Sequence, residues 1–177
     1  GEEYLVGGIG NQVFVWNPKT GERVRSWKTK YGAVRSLDLS EDFKSLLIGT
    51  NGLEIYALDD GRLLDEYKTT YGGVNVARFL PGENDTSHSD LVLMRHHLST
   101  LAVFQLSSKK ILRTFSTKSW NIKDALLIPG TNQIAVRTEG QIQRFNYQTG
   151  EVLSGAIIPG IYLTPLSAVH GFIITGS

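Results

Sequence analysis

An acidic pair and a glycine-rich stretch are the first places in this sequence where catalysis is conceivable. Asp59 and Asp60 are adjacent, an arrangement that suggests a general acid and a general base, but they directly precede Gly61. Acidic residues before a glycine are typical of tight turns, so we interpret the pair as a turn. Gly8-Ile9-Gly10 lacks the third glycine and the following helix that form a phosphate-binding loop. The sequence therefore predicts no catalytic residue and no nucleotide site.

The four histidines are the candidates for metal binding: His88, His96, His97 and His170. Because His96 and His97 are adjacent, their side chains on a strand point to opposite faces and cannot both bind one metal ion. The chain has no cysteine, which excludes thiolate ligands and disulfides and fits a reducing compartment. No metal and no cofactor is predicted, and we expect an intracellular location, either cytoplasmic or nuclear.

The sequence contains a repeat of about 40 residues, which indicates the secondary-structure elements that would position any functional site. Residues 67–74 match residues 27–34 in residue type at nearly every position, at an offset of 40. A second series of short apolar runs ends in an aromatic residue at Trp16, Tyr56, Phe104 and Phe145, at intervals of 40, 48 and 41 residues. The long interval contains the polar stretch 82–90, which is predicted to be a loop insertion.

One period contains four strand-like segments, at residues 34–39, 45–49, 53–57 and 63–68. Turn residues separate them, and Asn51-Gly52 suits a tight hairpin because both residues tolerate positive φ. No stretch has a helical apolar period. We expect an all-β fold in which four-stranded antiparallel sheets stack on one another, since one small sheet cannot bury both of its faces.

The sequence at these positions resembles the WD-repeat β-propeller family over essentially the whole chain. Trp16-Asn17 stands where that family has its Trp-Asp pair, whereas the later repeats have Tyr56, Phe104 and Phe145, and no Gly-His pair precedes a first strand. A quinoprotein-like propeller is the alternative. The resemblance implies a β-propeller of four-stranded antiparallel blades, which in this family number seven most often.

The chain is predicted to be a propeller segment over residues 1–177. Its blades are expected at 1–32, 33–72, 73–120 and 121–160, with a partial blade at 161–177. Because it begins at a second strand and ends after another second strand, we expect part of a larger propeller. Remaining blades or another chain would then cover the open ends.

The resemblance also implies a docking surface on the narrow face, where the first strand of each blade begins. The residues at or beside those positions are Lys30, Tyr31, Arg35, Tyr71, Asn75, Lys118, Trp120 and Lys123. Arginine, tyrosine and tryptophan commonly anchor protein interfaces. Two interpretations stay open: a docking ring for an acidic or phosphorylated peptide, or aromatics packed between blades beside solvated cations.

Together these features predict a non-catalytic scaffold that docks a protein or peptide within a larger intracellular assembly. One alternative is an RNA-contacting subunit of a ribonucleoprotein complex, suggested by Lys28, Lys30, Lys68 and Lys118. The formal net charge of only +1 argues against this nucleic-acid role. A second alternative is a quinoprotein-like enzyme. No apolar run approaches the roughly 18 residues of a membrane helix, so no membrane partner is predicted.

Overall fold

The computed structural model describes residues 3–81, 90–117, 121–157, 167–169 and 172–174. Within these ranges the chain forms seventeen β-strands and no helix, as the sequence predicts. It follows that none of the described residues lies in a helix long and apolar enough to cross a membrane. Contacts divide the chain into two compact units, Gly1–Asp90 and Leu91–Ser177.

The first unit contains eight strands. Its first sheet has the order β1 (Leu5–Ile9), β2 (Gln12–Trp16), β3 (Arg23–Lys28). Its second sheet has the order β4 (Ser36–Leu39), β5 (Ser45–Gly49), β6 (Gly52–Ala57), β7 (Leu63–Lys68). The last strand, β8 (Ala77–Phe79), contacts β4 and β5. Neighbouring strands of both sheets pair antiparallel, so each sheet is a meander.

The second unit repeats this arrangement. It contains β9 (Leu91–His97), β10 (Thr100–Gln105) and β11 (Lys110–Ser116), which pair in that order. A complete four-stranded sheet follows, with β12 (Asp124–Leu127), β13 (Gln133–Thr138), β14 (Gln141–Asn146) and β15 (Val152–Ile157). The last strands are β16 (Ser167–Val169) and β17 (Phe172–Ile174), which also pair antiparallel.

The predicted strands of the second sheet agree closely with the observed ones. The strands at 45–49 and 63–68 have the predicted bounds, and the third begins one residue earlier than expected. The first begins at Ser36 rather than at Val34, because the Val34 N–H donates to the Gly10 carbonyl of the first sheet and so lies outside β4. Within the predicted insertion, residues 82–89 lie outside the described residues, as do residues 161–166, 170–171 and 175–177 of the predicted partial blade.

A β-bulge recurs in the fourth strand of the first four repeats, opposite the aromatic residue that the sequence predicts near the end of the third strand. The register of β2, β6, β10 and β14 against the following strand shifts immediately before Trp16, Tyr56, Phe104 and Phe145. The extra residues are Val24, Leu64, Leu112 and Leu153. A bulge bends the strand that carries the extra residue, here the fourth strand of each repeat. Both the residue types and the backbone geometry are therefore repeated along the chain.

In each unit, the aromatic residue near the end of one third strand packs between two sheets. Tyr56 on β6 is 4% exposed, and its ring centroid lies 5.7 Å from that of Trp27 on β3. Phe145 on β14 lies 6.0 Å from Phe115 on β11 in the same way. Trp16, in the first repeat, is only half-buried. The core of the first unit thus lies between its two sheets.

Asp38 joins β4 to β8 in the first unit. Its carboxylate accepts a hydrogen bond of 2.8 Å from the Phe79 N–H. Burial raises the pKa of Asp38, although the hydrogen bond from Phe79 and the charge of Arg78 oppose this effect. The charged form of Asp38 is therefore less favourable in the folded chain than in the unfolded chain.

We expect Asp38 to make the chain less stable as pH rises. The unfolded chain ionises this group near pH 4, before the folded chain does, so the folded state loses stability as pH rises through the folded pKa. Asp38→Asn keeps an oxygen for Phe79 but does not ionise. Its free energy of unfolding relative to wild type should rise between pH 3 and pH 7 in urea titrations. A relative stability that falls with pH would contradict this assignment.

Candidate functional site

The six predicted site residues that the structure describes lie in three loops that lead from the fourth strand of one sheet to the first strand of the next. We call these the first, second and third junction loops, residues 29–35, 69–75 and 117–123. Residues 118–120 of the third loop lie outside the described residues. The three loops share a backbone arrangement that explains why they recur in the sequence.

A threonine anchors the start of each junction loop. Its backbone N–H and its hydroxyl both donate to one carbonyl in the turn between the second and third strands of its own repeat. The donor and acceptor pairs are Thr29 with Asn11, Thr69 with Asn51, and Thr117 with Ser99. In the first two loops the hydroxyl also contacts the carbonyl of Gly32 or Gly72, both of which have positive φ. The loop therefore turns back on itself at its glycine.

An apolar residue anchors the end of each junction loop through its backbone N–H. The acceptor is the carbonyl of the residue directly before the one to which the threonine donates. The pairs are Val34 with Gly10, Val74 with Thr50, and Ile122 with Leu98, at 2.7, 2.7 and 2.8 Å. Each junction loop is thus attached at both ends to the same turn of the preceding sheet.

The first junction loop has a further anchor, the buried carboxylate of Glu54 on β6. The N–H groups of Lys30 and Tyr31 donate to its two oxygens at 2.7 and 2.9 Å. The hydroxyls of Thr50 and Tyr56 donate to the same two oxygens at 2.8 and 2.7 Å. Four donors thus surround one carboxylate that is 0% exposed. Burial and the hydrogen bond with Glu54 raise the pKa of Tyr56, so its hydroxyl keeps its proton.

Sequence analysis missed Glu54, although a signal was present. It is the acidic residue in the apolar run 53–57, where strand periodicity gives no reason for a charge. The corresponding residues of the other third strands are Phe14, Ala102 and Gln143. The carboxylate anchor is therefore specific to the first junction loop.

Lys30 and Tyr31 lie together in the first junction loop, and Glu66 on β7 balances the cation. The ammonium group of Lys30 lies 2.6 Å from the Glu66 carboxylate and 5.6 Å from the centre of the Tyr31 ring. The hydrogen bond raises the pKa of Lys30 and lowers the pKa of Glu66. Tyr31 is half-buried, and its ring packs against Gly52, where a Cβ would lie 2.9 Å from the ring.

Arg35 and Tyr71 connect the first two junction loops at the surface. Arg35 is exposed, and its side chain packs across Gly73 in the second loop, where a Cβ atom would overlap the guanidinium. Tyr71, two residues before Gly73, is 58% exposed. Asn75 is half-buried at the end of the second loop. The first unit therefore brings Lys30, Tyr31, Arg35 and Tyr71 onto two contacting loops, which we call the junction surface.

The remaining predicted residues are not part of the junction surface. Lys123 is in the second unit, where its ammonium group lies 2.9 Å from the Glu139 carboxylate and lowers the pKa of Glu139. Lys118 and Trp120 lie outside the described residues. Among the residues that the structure describes, no three histidine or acidic side chains are close enough to hold a metal ion.

Comparison with known proteins leaves the family unassigned. No family model and no curated protein sequence matches the chain.

Proposed function

We propose that this chain is a segment of a WD-repeat-like β-propeller that acts as a non-catalytic interaction scaffold within an intracellular assembly. Its first unit docks a protein or peptide on the junction surface. Support for the propeller comes from the antiparallel four-stranded sheets, the period of about 40 residues and the recurring bulge. Support for the docking role comes from the junction surface itself.

One observation carries the docking proposal: exposed Arg35 and Tyr71 side chains lie on loops whose backbone is already fixed. The two loops are hydrogen-bonded at both ends, and the Glu54 carboxylate also accepts hydrogen bonds from two backbone N–H groups of the first loop. A pre-organised surface binds more tightly because less conformational entropy is lost on binding. Arginine and tyrosine are also the residue types that contribute most to interface energies.

The partner that fits the junction surface is an acidic or phosphorylated peptide. Arg35 offers a planar set of donors that matches a carboxylate or phosphate, and Tyr71 offers an aromatic face beside it. Lys30 contributes less charge, because Glu66 balances it. Support for the RNA alternative is weaker, since Lys30, one of the four lysines that suggest it, is paired with Glu66.

We expect Arg35→Glu to weaken partner binding at least tenfold. The substitution reverses the charge that faces an acidic partner, and a central interface arginine contributes on the order of 2 kcal/mol. Wild-type and variant chains would be immobilised, proteins captured from a native lysate would be quantified by mass spectrometry, and affinity for the main captured protein would then be measured. Tyr71→Ala should weaken the same complex.

The matched control is Arg23→Glu, which makes the same change at an exposed residue of β3, away from the junction loops. It should change the affinity less than about twofold. Equal capture by wild type and Arg35→Glu would refute the docking proposal. Capture that nuclease abolishes, with an affinity that falls steeply as salt increases, would favour the RNA alternative instead.

A further inference from the structure

A groove of about 660 Å³ lies in the first unit at the opposite end of the strands from the junction surface. β4 runs from Ser36, beside the first junction loop, to Leu39, which lines the groove. The turn after β4 and the turn between β6 and β7 form one side, and β1 and β3 form the other. The groove therefore lies between the two sheets, within one compact unit.

Large apolar side chains are exposed along the walls of this groove. Tyr4 is 38% exposed, Leu39 36%, Phe43 69% and Leu64 42%. Scattered exposed apolar residues are ordinary on a protein surface, but a contiguous concave group of them marks an interaction site. Val6 and Leu58 also line the groove, which gives it an apolar lining from both sheets.

Phe43 is presented to solvent at a backbone conformation that is unfavourable for its side chain. Its φ is +56°, in the left-handed region where glycine is strongly preferred and a bulky residue is rare. A glycine at this position would relieve the strain and remove an exposed phenyl ring. Neither burial nor backbone geometry therefore accounts for phenylalanine here, and strained residues of this kind cluster at binding sites.

Cations predominate among the charged residues that line the groove. Three of these residues are basic, Arg25, Lys44 and Arg62, and one is acidic, Asp59. The pairs that Lys44 and Arg62 make with neighbouring acids, Asp42 and Asp60, are 4.0 and 3.6 Å long and exposed on the cation side. Such surface pairs are weak and exchange readily with other carboxylates. The groove thus complements a ligand that is apolar in part and acidic in part.

We propose that this groove binds a short peptide in which two or three large apolar side chains are flanked by acidic residues. The apolar side chains pack against Phe43, Leu39 and Leu64, and the carboxylates pair with Lys44 and Arg62. This second docking site is separate from the junction surface and does not depend on it. One chain can therefore hold two partners at opposite ends of the same strands.

The test uses the full 177-residue chain and a random twelve-residue peptide library displayed on phage. The library is selected on wild type alone, and the most enriched peptide is synthesised with a fluorescent label. We expect enriched sequences that combine Leu, Ile or Phe with Asp or Glu. The labelled peptide should bind Phe43→Gly at least tenfold more weakly and Arg62→Glu severalfold more weakly, while Arg35→Glu binds it as wild type does.

Three results would overturn the groove proposal. The first is no enrichment, or enrichment of basic peptides. The second is equal binding of the peptide by wild type and Phe43→Gly. The third is a wild-type dimer in sedimentation experiments that Phe43→Gly dissociates, which would make a second copy of the chain the occupant. Phe43→Gly should unfold at the same or a higher urea concentration than wild type, so that weaker binding reflects the lost ring rather than a damaged fold.

Discussion

Glu54→Ala should lower the free energy of unfolding of the first unit by about 3 kcal/mol or more. The substitution removes the acceptor for four donors at once: the N–H groups of Lys30 and Tyr31 and the hydroxyls of Thr50 and Tyr56. Glu54 is fully buried, so water cannot replace it without opening the contact between the sheets. Buried donors without acceptors are costly, and the loss of a buried charged acceptor is costlier than that of a neutral one.

Two further variants separate this explanation from a general loss of packing. Glu54→Gln keeps the size and one acceptor oxygen but brings an NH₂ group against N–H donors, so we expect a smaller loss of about 1 to 2 kcal/mol. Glu151→Ala removes the same carboxyl group from an exposed position after β14 and should change stability by less than about 0.5 kcal/mol. Urea unfolding measures all three. A loss for Glu54→Ala no larger than that for Glu151→Ala would contradict the role assigned to this carboxylate.

Gly49→Ala should destabilise the first unit by a similar amount, about 3 kcal/mol, for a steric reason. Gly49 ends β5, and a Cβ atom there would overlap the Val74 carbonyl oxygen and the Ser36 hydroxyl. The Val74 oxygen belongs to the backbone of the second junction loop, which is attached to Thr50 and cannot simply move aside. The added methyl group therefore forces the second junction loop away from the second sheet.

Gly155→Ala is the matched control, because it adds the same methyl group within another strand. There the new Cβ would have its closest neighbours at 3.4 Å, the side chain of Gln143 and the carbonyl of Ile142. Since alanine also restricts the unfolded chain, this variant should be neutral or slightly stabilising. Thermal and urea unfolding of the two variants should thus differ in sign or by several kcal/mol. Comparable losses would show that steric overlap at Gly49 is not the cause.

The strands of this chain were predictable because they depend on local patterns. Apolar runs separated by turn residues gave β5 and β7 their correct bounds, and the aromatic residue at the end of each third strand marked the repeat. The bulge opposite each aromatic residue was not predictable, because a bulge is a mismatch between two strands and leaves no mark on either sequence alone. The late start of β4 has a similar origin, since Val34 donates to a carbonyl 24 residues earlier.

The candidate site was predictable in part. The offset of 40 residues placed Tyr31 and Tyr71 in equivalent loops, yet one is half-buried against Gly52 and the other is exposed. The balancing of Lys30 by Glu66 depends on a residue 36 positions away, which sequence spacing does not reveal. Glu54 was missed for the same reason, because two of its four donors are backbone groups and backbone groups have no signature in a sequence. The docking ring itself stays a prediction, with Lys118 and Trp120 outside the described residues.

The hydrogen bond that ends each junction loop has a consequence for how freely this chain can accumulate mutations. Its donors are Val34, Val74 and Ile122, but its acceptors are carbonyls of residues as unlike as Gly10, Thr50 and Leu98. A contact made by main-chain atoms survives nearly any replacement that leaves the backbone path intact. The side chains around it are then free to diversify from repeat to repeat, so new surface chemistry can evolve on these loops without a new fold.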